Sequence, residues 1–129
     1  MRSLPYSNFN IGIEGGGHGA SSGSPVLALV SSILSAVPET GPPILAAGGM
    51  ANGGHMAALL TLGASGAVFG TRFLLAPESL YTDVQRRALV AASSTSSVRT
   101  MAFDNARGSM GWPSGVDGRG LRNSPYRVH

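Results

Sequence analysis

The stretch Pro43 to Phe73, PILAAGGMANGGHMAALLTLGASGAVFGTRF, limits the possible folds more than any other part of the chain. Pro43 to Ala47 is a short, wholly apolar run, the pattern of a parallel strand buried on both faces. Gly48-Gly49 stops it. Asn52 is placed to cap a helix from about Gly53 to Leu62, with Met56, Leu59, Leu60 and Gly63 on one face. Gly63 suits the C-cap of that helix, where a left-handed residue is wanted. Ala67-Val68-Phe69 is a second apolar run, and Gly70-Thr71 interrupts it. Two such strands joined by a helix form a parallel βαβ unit. Both then bring a glycine turn to the same edge of the sheet.

Those turns have two readings. Gly48, Gly49 and Gly70 permit tight turns because they lack Cβ. They also let backbone N–H groups approach an anion, as the last two βα loops of a (β/α)8 barrel do for phosphate.

The ends of the two strands, Ala46-Ala47-Gly48-Gly49 and Gly70-Thr71-Arg72-Phe73, resemble in order and spacing the last two βα units of the nitronate monooxygenase (2-nitropropane dioxygenase) family. Those are FMN-dependent (β/α)8 barrel enzymes, and related flavin barrels such as FMN-dependent enoyl reductases share the pattern. Asn10 to Ile13 is a weak strand candidate leading into Glu14-Gly15-Gly16-Gly17-His18-Gly19. Gly15-x-Gly17-x-x-Ala20 fits a loosened dinucleotide fingerprint, but Ser21-Ser22-Gly23 separate it from the following helix, which removes the Rossmann reading. The run instead resembles the family's strand followed by QGxEAGGHxG. Gly12, Glu14, Gly16, Gly17 and His18 match in register; Ile11, Gly15 and Ala20 stand where the family has glutamine, alanine and glycine. The glutamine is a flavin contact in the family. Near the other end, MAFDNARGSMGWPSGVDGRGLRN resembles fungal-type members, which finish FD…RG…WP…DGR. The resemblance spans about Gly12 to Arg127.

Ser24, followed by Pro25, is the expected cap of a helix reaching Val37, and Ser79 that of another reaching about Ala92. Polar residues Ser93 to Ser97 break the pattern. From Arg99 onward Gly, Pro, Asn and Asp predict little regular structure. The chain has 129 residues, whereas a complete barrel takes about 250. The expected fold is therefore α/β: a partial TIM-type (β/α)8 barrel of about three parallel strands, near residues 10–13, 43–47 and 66–70, with helices and an irregular ending. Residues 1–92 would be the half-barrel and 93–129 a loop-rich basic extension.

The chain has no cysteine, no apolar run of membrane-spanning length and no signal-peptide pattern, so the expectation is a cytoplasmic protein without membrane contact or a metal site. Its net charge is +3, and its nine basic residues are all arginines, seven of them between Arg86 and Arg127. Without lysine clusters or interleaved aromatics this reads as a solvated or packed surface, not a nucleic-acid interface.

The resemblance implies a chemistry. His18 takes the place of the family histidine that lies over the flavin and removes a nitroalkane α-proton or orients the nitronate. Gly16, Gly17, Gly48, Gly49, Val68, Phe69, Gly70 and Thr71 fall at flavin-binding positions, with the N–H groups of Gly49, Gly70 and Thr71 and the Thr71 hydroxyl facing phosphate. Arg72 either joins the phosphate or pairs with a carboxylate. His55 is expected at the surface. The partners would be a small nitronate or nitroalkane and O2, and the products a carbonyl compound and nitrite. The alternative is a non-catalytic remnant keeping only the phosphate site. In either case the open sheet is expected to drive self-association.

Overall fold

In the computed structural model, which describes residues 8–122, the central βαβ unit lies where the apolar periodicity put it. In chain order the elements are β1 (Asn8–Ile11), β2 (Gly17–Ala20), α1 (Val26–Ala36), β3 (Ile44–Ala47), α2 (Gly53–Leu62) and β4 (Gly66–Val68). A 3-10 turn, Thr71–Leu75, leads to α3 (Asp83–Ala91). After a second 3-10 turn, Ser94–Ser96, come β5 (Ser97–Thr100), α4 (Ala102–Arg107) and β6 (Val116–Leu121). The chain divides into two compact units. One holds residues up to Gly15 and Ser24–Gly70; the other holds Gly16–Gly23 and the chain from Thr71 onward.

The first unit is α/β. Its sheet has the order β1-β3-β4, with both pairs parallel. In the central strand Ile44, Ala46 and Ala47 are buried, which is why the run carries no polar alternation. Val30 of α1, Leu59 of α2, Ala46, Met50 and Ala64 form the core, with Val26, Leu34, Ala67 and Phe69 packed against it. Asn52 caps α2 by accepting a hydrogen bond from the His55 N–H at 3.1 Å, and Gly63 ends the helix at φ 114°. Of the expected apolar face of α2 only Leu59 is buried; Met56 and Leu60 are 40% and 41% exposed.

Two local expectations are corrected here. The first strand ends at Ile11, not Ile13. The Gly12 N–H makes the last bond to β3, at 2.9 Å from the Ala47 oxygen, and the chain then bends so that Ile13 N–H donates to Ser24 O. A Cβ on Gly12 would sit 2.5 Å from the Val26 nitrogen, so the bend requires glycine. Ser24 does not cap α1. The Glu14 carboxylate does, accepting from the Val26 N–H at 3.0 Å, an anion at a helix N-terminus.

The second unit departs furthest from the sequence reading. β2-β6-β5 form an antiparallel sheet, although no strand is expected at Gly17–Ala20 and little regular structure from Arg99 onward. In β6 one glycine is required by packing. A Cβ on Gly120 would lie 3.1 Å from the Phe103 ring of α4. The arginines also do more than cover a surface. Arg99 on β5 bonds Asp117 on β6 at 2.6 Å and the Gly19 carbonyl on β2 at 2.9 Å, tying three strands together. Helix α3 starts later than expected, because Thr82 and Gln85 form a reciprocal capping box and leave Ser79 outside. No residue of α3 is buried, and Val84 is 67% exposed.

Among the described residues no helix is long and apolar enough to cross a membrane.

Candidate active site

The chemistry-bearing cluster of the second unit is built on His18. Strand β2 places it directly opposite Gly118 of β6, which is paired in turn with Thr100 of β5. The imidazole passes beside Gly118 to reach α4. A Cβ there would be 3.5 Å from His18 Nε2 and 3.7 Å from Asp104 Oδ2. The ring nitrogen Nε2 lies 2.9 and 3.0 Å from the two Asp104 oxygens.

Asp104 is wholly buried, and a buried carboxylate requires donors. It has three. Besides His18, the Ser109 hydroxyl donates at 3.0 Å and the Trp112 indole N–H at 3.2 Å. Gly108, left-handed at φ 68°, ends α4 and turns the chain so that Ser109 N–H bonds the Asp104 carbonyl. The hydrogen bond from His18 holds the Asp104 carboxyl below the usual carboxylate range; Ser109, the charge on His18 and Trp112 add to this against the opposing effect of burial.

Trp112 also stacks on the His18 ring, centroids 3.8 Å apart and planes 13° from parallel. An ionised carboxylate only accepts, so whenever the imidazole is neutral this contact calls for the proton on Nε2 and the lone pair on Nδ1. The His18 side chain is 27% exposed, so the ring remains open to solvent.

In the same unit, a Cβ on Gly16 would lie 3.2 Å from the Thr71 hydroxyl oxygen, and Gly17 has a positive φ of 73° with open space around it. Arg72 is exposed at the first 3-10 turn.

In the first unit, Gly48 and Gly49 have φ 105° and 70°. Their turn packs on the loop after β1: a Cβ on Gly48 would lie 3.0 Å from the Gly12 oxygen, and one on Gly49 2.8 Å from the Glu14 Cβ. These glycines are thus required by packing whatever they bind. Gly70 differs, being exposed with nothing within 4 Å of an added Cβ. Phe69 is partly buried against the core, whereas Val68 is 38% exposed. His55 is exposed, as expected, with Nδ1 accepting from the Ala51 N–H.

Residues 10–111 match the family described as nitronate monooxygenase. The chain belongs to the nitronate monooxygenase family. It is 40% identical over 121 residues to the nitronate monooxygenase npaC of Metarhizium robertsii, covering 92% of this chain and 34% of that protein. It is 32% identical to a nitronate monooxygenase of Neurospora crassa, covering 92% and 33%. A solved nitroalkane oxidase from Streptomyces ansochromogenes superposes with a TM-score of 0.77 at 32% identity, over 95% of this chain and 34% of that one. FabK from Thermotoga maritima does so with a TM-score of 0.76, also at 32% identity and with the same coverage. The chain therefore spans about a third of the length of the nitronate monooxygenases it matches.

Sequence reasoning singled out His18 but missed Asp104, Ser109 and Trp112. The available signal was the family-like ending itself, in which Phe103-Asp104 and Trp112-Pro113 recur as pairs.

Proposed function

We propose that this chain is part of an FMN-dependent oxidoreductase that converts alkyl nitronates or nitroalkanes, with O2, to carbonyl compounds and nitrite. The parallel sheet of the first unit would belong to a (β/α)8 barrel, as in the family. One observation carries the catalytic reading: His18 Nε2 is engaged by a buried carboxylate, which leaves Nδ1 as a base on a partly exposed ring.

The residues present fit the cofactor at its phosphate. Gly70 is an exposed backbone position with room for an anion to approach. By the family resemblance, Gly49 and Gly70 of the first unit would hold the phosphate through their N–H groups with Val68 and Phe69 beside the cofactor, and Gly16, Gly17 and Thr71, with its hydroxyl, are the matching positions carried by the second unit. When bound, FMN supplies the electron-accepting step that no side chain here can perform.

The part of the chain's own residues is proton transfer. His18 Nδ1 takes the α-proton of a nitroalkane, the C–H electron pair moves onto the nitro group, and the nitronate forms beside an imidazolium balanced by Asp104. A second reading, a remnant that binds only phosphate, has Ile11 in its favour: an apolar side chain, 60% exposed, stands where the family has a glutamine.

The test is a pair of substrates. With FMN supplied, His18→Asn should slow turnover of a neutral nitroalkane by about 10²–10⁴-fold, the usual worth of a general base. Preformed nitronate has already lost its proton and should be affected far less. Equal losses would show His18 placing substrate instead, and no turnover of either substrate by the wild-type chain would favour the remnant.

A further inference from the structure

We propose that Asp104 is the positioning residue of this site, fixing His18 as the Nε2–H tautomer so that Nδ1 is the basic atom. The proposal rests on the reading of His18 as a base.

Three features converge on that one ring. Both Asp104 oxygens lie within 3.0 Å of Nε2, so the carboxylate grips the nitrogen symmetrically. Trp112 covers one ring face at 3.8 Å and donates its own N–H to the same carboxylate at 3.2 Å, coupling the ring's plane to its hydrogen-bond partner. Gly118 lies beside the point where ring and carboxylate meet. Alternation along the strands sets the other charges of this sheet apart: Arg99 on β5 and Asp117 and Arg119 on β6 are out of phase with His18 and Gly118, on the opposite face. Asp104, from α4, is thus the charged group that hydrogen-bonds the ring.

A carboxylate merely bracing the fold would need only Ser109 and Trp112 as donors. Engaging Nε2 as well assigns the proton in advance. The imidazole then receives a substrate proton at Nδ1 without rotating, and the charge that develops is matched by an anion that does not itself become protonated.

The experiment reads the ring directly. Histidine labelled with 15N is incorporated into the full chain, and the ring nitrogens are observed at a pH where the ring is neutral. The chain has three histidines, and the His18 signals are those lost in His18→Asn. The expected result is a protonated Nε2 and a bare Nδ1. Asp104→Asn should mix the tautomers and slow nitroalkane turnover by about 10²–10⁴-fold while sparing preformed nitronate; Asp104→Glu should recover part of the loss. A proton on Nδ1 in the wild type would overturn the proposal, as would an Asp104→Asn protein with the same tautomer and the same substrate split. If Asp104→Asn does not fold, the wild-type spectrum decides. None of the ring measurement depends on flavin, so a chain that binds no FMN refutes the proposed function while the ring still reports on Asp104.

Discussion

Gly49 and Gly70 are equivalent on paper and opposite in the structure. Gly49→Val would place a β-branched side chain at φ 70° and against the Glu14 Cβ, so any lost flavin binding would be confounded with strain. Gly70→Val meets open space. We expect it to melt with the wild type yet bind FMN at least about tenfold more weakly, roughly the contribution of one charge-assisted hydrogen bond. Flavin fluorescence titration measures this, and unchanged affinity would remove Gly70 from the phosphate site. Asp104 carries a pH dependence whose sign is fixed. Its folded-state pKa lies below its unfolded value. The stability it contributes is therefore fully present above the ordinary carboxylate range and is lost as pH falls through that range toward the folded value. The melting temperature of the wild type should fall between about pH 5 and pH 2 more steeply than that of Asp104→Asn. Parallel slopes would show that the carboxylate is not ionised in the fold.

At the scale of elements, α1 and the β6–α4 contact offer clean tests. Glu14→Ala removes the α1 cap and should cost about 0.5–2 kcal/mol in urea unfolding, as other N-cap losses do. Gly120→Val pushes a side chain into Phe103 and should cost about 1–3 kcal/mol by overpacking. The same elements explain what could be read in advance. β3, α2 and β4 were legible because each announces itself within a few residues: an apolar run, Asn52 at one end of the helix, Gly63 at the other. β2 and β6 were not, since His18 pairs with Gly118 and neither local window contains the other. In β6 the glycine at 120 leaves room for the Phe103 ring and that at 118 lies beside the His18–Asp104 pair, and locally both look like any flexible loop. His18 was found through its motif; its partner on α4 was not, because burial and hydrogen bonding are properties of the fold.

For the whole molecule, among the described residues the first unit's sheet ends at β1 and β4, and large apolar side chains of that unit remain outside: Ile11 is 60% exposed, Leu27 55% and Met56 40%. We expect the isolated chain to self-associate at micromolar concentration; a monomeric peak by light scattering, with no binding of hydrophobic dyes, would count against this. The way the two units share the chain has a further effect. Gly16–Gly23 belong with residues that follow Thr71, and His18 and Asp104 are 86 positions apart. During synthesis on the ribosome β2 is made well before β6, its strand partner among the described residues and the last described element to be made. β2 must therefore wait through the translation of nearly a hundred residues, its own backbone donors and acceptors unsatisfied, before it can join a sheet. A release of the nascent chain before Val116 would leave His18 without the strand that seats it. His18 is thus made well before the carboxylate and the strand that seat it.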